Sequence, residues 1–205
     1  MDGHLPWAAI TLSPLCLIVA VVTLVLARRE AHAIGLCVGM VTSEVVNHFL
    51  KAAIAQPRPD FPGVFTPGHG MPSDHAQFSA FFFVFTAAFF SRRRAVLGAG
   101  ILPAWQEAAM LAGLGVNAVL TAASRVVLGY HTVEQVVAGG VVGVVFGGVW
   151  AAVVVSVGEP LAEWAVTTPL GRALRLRDSS WTPDALAVER DALLPASECS
   201  GKKVL

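Results

Sequence analysis

The chain has 205 residues, 55% of them hydrophobic and only 14% charged, with 14 bases balanced by 14 acids. Average soluble domains carry roughly 25% charge, so this balance excludes a disordered chain, and the lack of a basic surplus speaks against a nucleic-acid binder. Three cysteines, two of them (Cys16 and Cys37) inside apolar runs, exclude a disulfide scaffold. The class that fits is all-α: a polytopic membrane helix bundle of about five transmembrane helices in one domain.

The first apolar segment runs from about Thr11 to Ala27 and is stopped by Arg28-Arg29-Glu30. It is short, with Trp7 placed for the interface. It lacks the basic amino-terminal flank and small-residue cleavage site of a signal peptide. The second runs from Ala31 to about Leu50 and is followed by a polar, Pro- and Gly-rich loop, Ala55 to Pro72. The third, Asp74 to Phe90, carries Phe81, Phe82, Phe83, Phe85, Phe89 and Phe90 and ends at Ser91-Arg92-Arg93-Arg94. Its aromatic face is expected to meet lipid, with a substrate path as the alternative. The fourth covers about Trp105 to Ala123 and the fifth Thr132 to Val155. In the fifth, Gly139, Gly143 and Gly147 form a small-residue stripe that suits close helix contact within the chain, a homodimer seam being the alternative. Residues 1–160 are thus expected to form the transmembrane domain and 161–205 a carboxy-terminal tail.

Basic residues set orientation. Arg28 and Arg29 follow the first segment, Arg92 to Arg94 the third, and Arg172, Arg175, Arg177, Arg190, Lys202 and Lys203 the fifth. With alternating crossings these eleven of the 14 bases share one side, predicted to be the cytosol. Lys51, Arg58 and Arg125 are left at the opposite surface. Charges near hydrocarbon are costly and tend to be functional, so three converging bases predict an anion site there.

Two polar stripes point to the same surface. Glu44, Asn47, His48 and Lys51 lie at i, i+3, i+4 and i+7 of the second segment, and Asn117, Thr121, Ser124 and Arg125 on one face of the fourth. Polar stripes in membrane helices must face protein or a wet cavity. Glu44 is expected to support one of the three bases, direct chemistry being the alternative. Met71-Pro72-Ser73-Asp74-His75-Ala76-Gln77 reads as a helix start, with Asp74 and Gln77 as a capping box. Its free N–H groups favour an anion, which would put His75 one turn from a bound phosphate as general acid. His131 is a competent nucleophile when neutral, with Gln135 and Glu134 both in reach of its second ring nitrogen. A metal site is not expected: His69, His75 and His131 lack ligand spacing, and only Asp60, Asp74, Glu44 and Glu134 offer carboxylates for magnesium.

Three blocks in order carry a resemblance to a family. Lys51-Ala-Ala-Ile-Ala-Gln-Pro-Arg58-Pro59, Pro72-Ser73-Asp74-His75, and Ser124-Arg125 with His131 six residues on resemble the three-part signature of the type-2 phosphatidic acid phosphatase superfamily. The text around them, Met71 to Phe78 and Ser124 to Gln135, resembles the dolichyl diphosphatase branch. The resemblance extends from about Leu12 to Ser180.

The resemblance implies hydrolysis of dolichyl diphosphate to dolichyl phosphate and phosphate at the lumenal face of the endoplasmic reticulum, recycling the lipid carrier for protein N-glycosylation. The nearest alternative is a broader lipid phosphatase acting on phosphatidate or other polyprenyl diphosphates; a silent lipid-binding scaffold would have lost a histidine. It implies His131 as the nucleophile that becomes a phosphohistidine and His75 as acid, then base. Lys51, Arg58, Ser73, Arg125 and the backbone N–H of Asp74 would hold the phosphate, with no metal or other cofactor. Asn47, Ser124, Glu44, Glu134 and Gln135 would support them. Two positions depart from the superfamily pattern. Asp74 stands where it has Gly, and is expected to cap the helix and point away from the phosphate. Gln135 stands where it has Asp, with Glu134 as a substitute source of charge. Lys202-Lys203-Val204-Leu205 resembles a dilysine retrieval signal of the endoplasmic reticulum, read on a cytosolic tail.

Overall fold

The computed structural model describes residues 4–60, 67–98, 100–182 and 185–193. Helix α1 (Leu5–Ile10) leads into α2 (Ser13–Arg28), each with a proline in its first turn, where a missing N–H costs nothing. Together they make a 24-residue apolar length, Leu5–Arg28. The first crossing therefore starts earlier than Thr11 and is not short. Helices α3 (Ala31–Ile54), α4 (Asp74–Leu97), α5 (Ala104–Val127) and α6 (Val133–Val153) follow. A π-helical turn, Val154–Gly158, carries α6 into α7 (Glu159–Thr167), and α8 (Pro169–Ala173) and α9 (Ala185–Leu193) complete the described chain.

Among the described residues four stretches are long and apolar enough to cross a membrane: Leu5–Arg28, Ala31–Ile54, Ala104–Val127 and Val133–Thr167. Helix α4 is as long as α3 but less apolar, and it can be, because it is the centre of the bundle. It packs chiefly against α6, and then α5 and α3. Phe78, Phe81, Phe82 and Phe85 form the core with Val21 and Met40, and Phe90 is also buried. The aromatic face of α4 is thus the core rather than a lipid-facing surface. Lipid is met instead by the outward valines of the surrounding helices, such as Val41, Val45, Val137, Val141 and Val145, all exposed.

The glycine stripe of α6 lies on α4. A Cβ at Gly139 would strike the carbonyl oxygen of Ser73, one at Gly143 that of Gln77, and one at Gly147 would stand 3.1 Å from that of Phe81. Without a hydrophobic driving force between helices in lipid, such close backbone contact is a main source of association. The stripe is used inside the chain, and all three glycines are buried.

The arginine-rich ends gather at one end of the bundle. Buried Arg93 donates to the carbonyl oxygens of Ser179 (3.3 Å), Ser180 and Thr182 (2.7 Å). Buried Glu30 accepts from the backbone N–H and the hydroxyl of Ser179, at 3.0 and 2.9 Å. Arg28 and Arg177 share Glu189, at 2.6 and 2.5 Å. Residues 177–182 are thereby docked against the start of α3 and the end of α4, while Lys202-Lys203-Val204-Leu205 lies outside the described residues.

Candidate active site

At the opposite end of the bundle four pieces of chain meet: the end of α3 with Gln56–Arg58, the start of α4, the end of α5, and the α5–α6 junction. Each is positioned by local chemistry. The chain turns after α5 at Gly129, whose φ of 75° suits glycine, and the N–H groups of Tyr130 and His131 both return to the carbonyl of Arg125, at 3.0 and 3.1 Å. Thr132 then caps α6 in a capping box with Gln135. This turn leaves His131 2% exposed.

Gln135 is the junction of the site. Its Nε2 donates to the carbonyl of Pro57 at 2.8 Å and to Gln56 Oε1 at 3.2 Å. Because the Pro57 oxygen only accepts, the amide orientation is determined, and Oε1 faces His131 Nδ1 at 3.2 Å. Nδ1 therefore donates and carries the proton, leaving Nε2 with its lone pair. The backbone carbonyl of Gln135 accepts from Ser73 N–H at 2.9 Å. One residue thus ties the Arg58 segment, the start of α4 and the imidazole together. Gly70 leaves room for it, since a Cβ there would collide with the Gln135 amide. Burial, reinforced by the Arg58 guanidinium, lowers the His131 pKa to about 4, so the imidazole is neutral near pH 7.

The start of α4 differs from the capping box expected of Asp74 and Gln77. The cap position is Ser73, with no side-chain cap bond. Gln77 is turned to α3, accepting from Asn47 Nδ2 at 2.8 Å and donating to the carbonyl and hydroxyl of Ser43 at 2.8 and 3.1 Å. Asn47 also donates to the Pro72 carbonyl at 3.4 Å, so it supports the loop that presents Ser73. Asp74 does not point away. Its Oδ1 lies 3.6 Å from Lys51 Nζ, 3.4 Å from His75 Nδ1 and 3.7 Å from His131 Nε2.

Arg125, 8% exposed, is held by a bond from Nη1 to Thr11 Oγ1 (2.8 Å), with its guanidinium carbon 4.2 Å from the centroid of the Tyr130 ring. Ser124 is buried and donates to the Thr121 carbonyl at 2.6 Å, steadying α5 rather than facing the pocket. Thr121 bonds in turn to Ser13 at 2.8 Å. Glu44, His48 and Glu134 are exposed. Among the described residues neither Glu44 nor Glu134 forms an ion pair, although Glu44 lies close enough to Lys51 to attract it through space. Thr11, Gln56 and Tyr130 join the site without having been singled out by their sequence. Nearness to the signature blocks could have marked Gln56 and Tyr130, whereas nothing local marks Thr11.

Five buried polar atoms here have no hydrogen-bond partner among the described residues: Arg58 Nε, Ser73 Oγ, Asp74 Oδ1, Arg125 Nε and His131 Nε2. Native structures leave few such atoms, and each needs a reason. Two guanidinium donors and a hydroxyl, with the Lys51 ammonium nearby, are complementary to a tetrahedral oxyanion, and the free imidazole nitrogen offers a lone pair beside them. Among the described residues no three His, Cys, Asp or Glu side chains are placed to hold a metal ion.

Residues 32–158 match the PAP2 superfamily, a span that contains all of the site side chains named here except Thr11 and Ser13. The chain belongs to the PAP2 superfamily. Among PAP2 relatives it is 37% identical to dolichyldiphosphatase 1 of Rhinolophus ferrumequinum, over 92% of this chain and 80% of that protein. It is 36% identical to lipid phosphate phosphatase gamma of Arabidopsis thaliana, over 80% of this chain and 72% of that protein. The fold is similar to the crystal structure of a transmembrane PAP2-type phosphatidylglycerolphosphate phosphatase from Bacillus subtilis, with a TM-score of 0.61 and 25% identity, covering 75% of this chain and 77% of that one. Of the PAP2 signature positions here, Lys51, His75 and His131 all lie within 3.7 Å of Asp74 Oδ1. Gln135 stands behind His131 where the resemblance expects Asp.

Proposed function

We propose that this protein is an integral membrane phosphatase that hydrolyses dolichyl diphosphate to dolichyl phosphate and inorganic phosphate. The observation that carries the proposal is the free, buried Nε2 of a neutral His131 amid unpartnered phosphate donors. Similarity to dolichyldiphosphatase 1, at 37% identity, supports the substrate class.

In this mechanism His131 Nε2 attacks the terminal phosphorus, and the bond to the bridging oxygen breaks. His75 gives its proton to that oxygen as dolichyl phosphate leaves. His75 then takes a proton from water, whose oxygen attacks the phosphohistidine phosphorus; the P–N bond breaks and orthophosphate departs. Lys51, Arg58, Arg125, Ser73 Oγ and the Asp74 backbone N–H hold the non-bridging oxygens. Donors fixed in advance around developing charge often accelerate a reaction more than any other feature of an active site, and three cations supply the charge neutralisation that a metal would otherwise give. The isoprenoid lies in lipid beside the bundle. The positive-inside rule makes the side that holds Arg28, Arg29, Arg92 to Arg94 and Arg177 the cytosolic one; this supports a pocket at the lumenal face of the endoplasmic reticulum, where recycling the carrier would serve N-glycosylation. A homodimer is not needed for this chemistry.

A second reading, a broader lipid phosphatase, is favoured by the similarity to lipid phosphate phosphatase gamma. Phosphate release from purified protein in detergent with excess chelator, comparing dolichyl diphosphate, dolichyl phosphate and phosphatidate, separates the two. Selective, chelator-resistant release from the diphosphate is expected. Equal release from all three supports the broader enzyme, and loss of release with chelator overturns the metal-free mechanism.

Gln135→Glu provides a sharper check on how the site is assembled. The change keeps an acceptor for His131 but sets a carboxylate against the Pro57 carbonyl and Gln56 Oε1. An unsatisfied buried polar group costs roughly 1–3 kcal/mol, so release of the Arg58 segment should raise KM about tenfold. The new charge beside Nδ1 favours the imidazolium, so the acid limb of kcat/KM should move to higher pH. An unchanged KM would show that Gln135 does not position Arg58.

A further inference from the structure

We infer that Asp74 is a resident competitor for the anion pocket, its carboxylate standing in for a phosphoryl oxygen and weakening the hold on free orthophosphate. The inference rests on the phosphatase reading above and goes beyond it, since neither the family signature nor the catalytic steps call for an acid at this position.

Three distances define the arrangement. Asp74 Oδ1 is 3.4 Å from His75 Nδ1, 3.6 Å from Lys51 Nζ and 3.7 Å from His131 Nε2. All three exceed an ordinary N–H···O bond, which is about 2.7–3.2 Å, and Oδ1 is buried with no hydrogen-bond partner among the described residues. The oxygen sits between the two histidines and the lysine in a cage too wide for it. A phosphoryl group, with three non-bridging oxygens spread about one centre, reaches several walls at once.

The carboxylate and a phosphoryl group cannot share that point. For attack, His131 Nε2 must come within about 3–3.5 Å of phosphorus, and Asp74 Oδ1 lies 3.7 Å from the same nitrogen, so the two compete for the space beside it. Asp74 must therefore swing aside when substrate enters. It is free to do so: it is the first residue of α4, it makes no cap bond, and its side chain is 27% exposed. A diphosphate tethered by an isoprenoid in the bilayer has a second phosphate and the membrane to hold it while the carboxylate moves. Orthophosphate has neither, so it meets the full competition, and the product of each turnover is expelled as Asp74 swings back.

The test is direct binding of inorganic phosphate to the purified full chain in detergent, by calorimetry or phosphorus NMR, with no turnover involved. Asp74→Asn keeps the shape of the side chain and removes its charge; it is expected to tighten orthophosphate binding roughly tenfold or more. Asp74→Ser should move in the same direction. In both variants a further Arg125→Ala change should abolish the binding. Equal affinity in the wild type and both Asp74 variants, still lost with Arg125→Ala, would overturn the competitor while leaving the anion pocket intact. Absence of any Arg125-dependent phosphate binding in all of them would overturn the competitor and the phosphatase reading together.

Discussion

Replacing His131 with alanine is expected to lower turnover of dolichyl diphosphate about 10³-fold or more, because its Nε2 is the buried imidazole nitrogen left unpartnered beside the phosphate donors. His131 is fixed by more than its own position. Oε1 of Gln135 takes the Nδ1 proton at 3.2 Å, and the Thr132–Gln135 capping box holds that acceptor still. Burial keeps the ring neutral, with its pKa lowered to about 4, so histidine NMR should find it uncharged across pH 5–8. The variant should remain folded: Gln135 Oε1 keeps its bond from Thr132 N–H at 3.3 Å, and the donors to Pro57 and Gln56 are untouched. Rapid quenching of the wild type with substrate labelled at the terminal phosphorus should leave acid-labile, base-stable label on the protein, absent from the variant. Substantial hydrolysis by a folded His131→Ala protein would remove the phosphohistidine from the mechanism.

Arg125→Lys is expected to cost about 10²–10³-fold in kcat/KM although the charge is retained. The guanidinium is built into the site from two directions, by the hydroxyl of Thr11 at 2.8 Å and the face of Tyr130 at 4.2 Å. These contacts hold a planar fork in place while Nε stays buried and unpartnered among the described residues. A lysine ammonium has no fork to satisfy both Thr11 and a phosphoryl oxygen, and it stacks less well on the ring. The loss should fall on kcat as well as KM, since the bond strengthens as charge builds on the transferring group. A variant with near-normal kcat/KM would reduce Arg125 to a general source of positive potential.

Most of the parts that make this site are legible in the linear chain, because lipid makes the reading strict. A segment in hydrocarbon must satisfy its own backbone, so helices are forced, and every charge left in or beside one is conspicuous. Lys51, Arg58 and Arg125 stand out for that reason, and the spacing from Ser124 to His131 places the candidate nucleophile one short turn beyond Arg125. The same strictness hides other things. In a soluble protein the apolar face of a helix is the buried one, but here lipid and core are equally apolar. The phenylalanines of α4 therefore carry no mark of facing inward, and packing against α6, α5 and α3 decides it. Glu44 and His48 share a helical stripe with Asn47 and Lys51, yet both are exposed while Asn47 is buried, because the rotation of α3 decides which part of the stripe packs.

Asp74 and Gln77 make the clearest contrast. Their spacing suits a capping box, but long-range partners prevail: Asn47 and Ser43 on α3 take the Gln77 amide, and Lys51 with the two histidines draws Asp74 inward. Thr11 lies 114 residues from Arg125, and nothing local connects them. Membrane class, crossing helices and family can all be read from the linear chain, and so can the candidate site residues, since they follow from hydropathy, the cost of charge in lipid and short spacings. The direction of Asp74, the end of Gln135 that meets His131 and the buried face of α4 cannot. They emerge with the folded bundle, because they depend on helix rotation and on donors and acceptors that meet from distant parts of the chain.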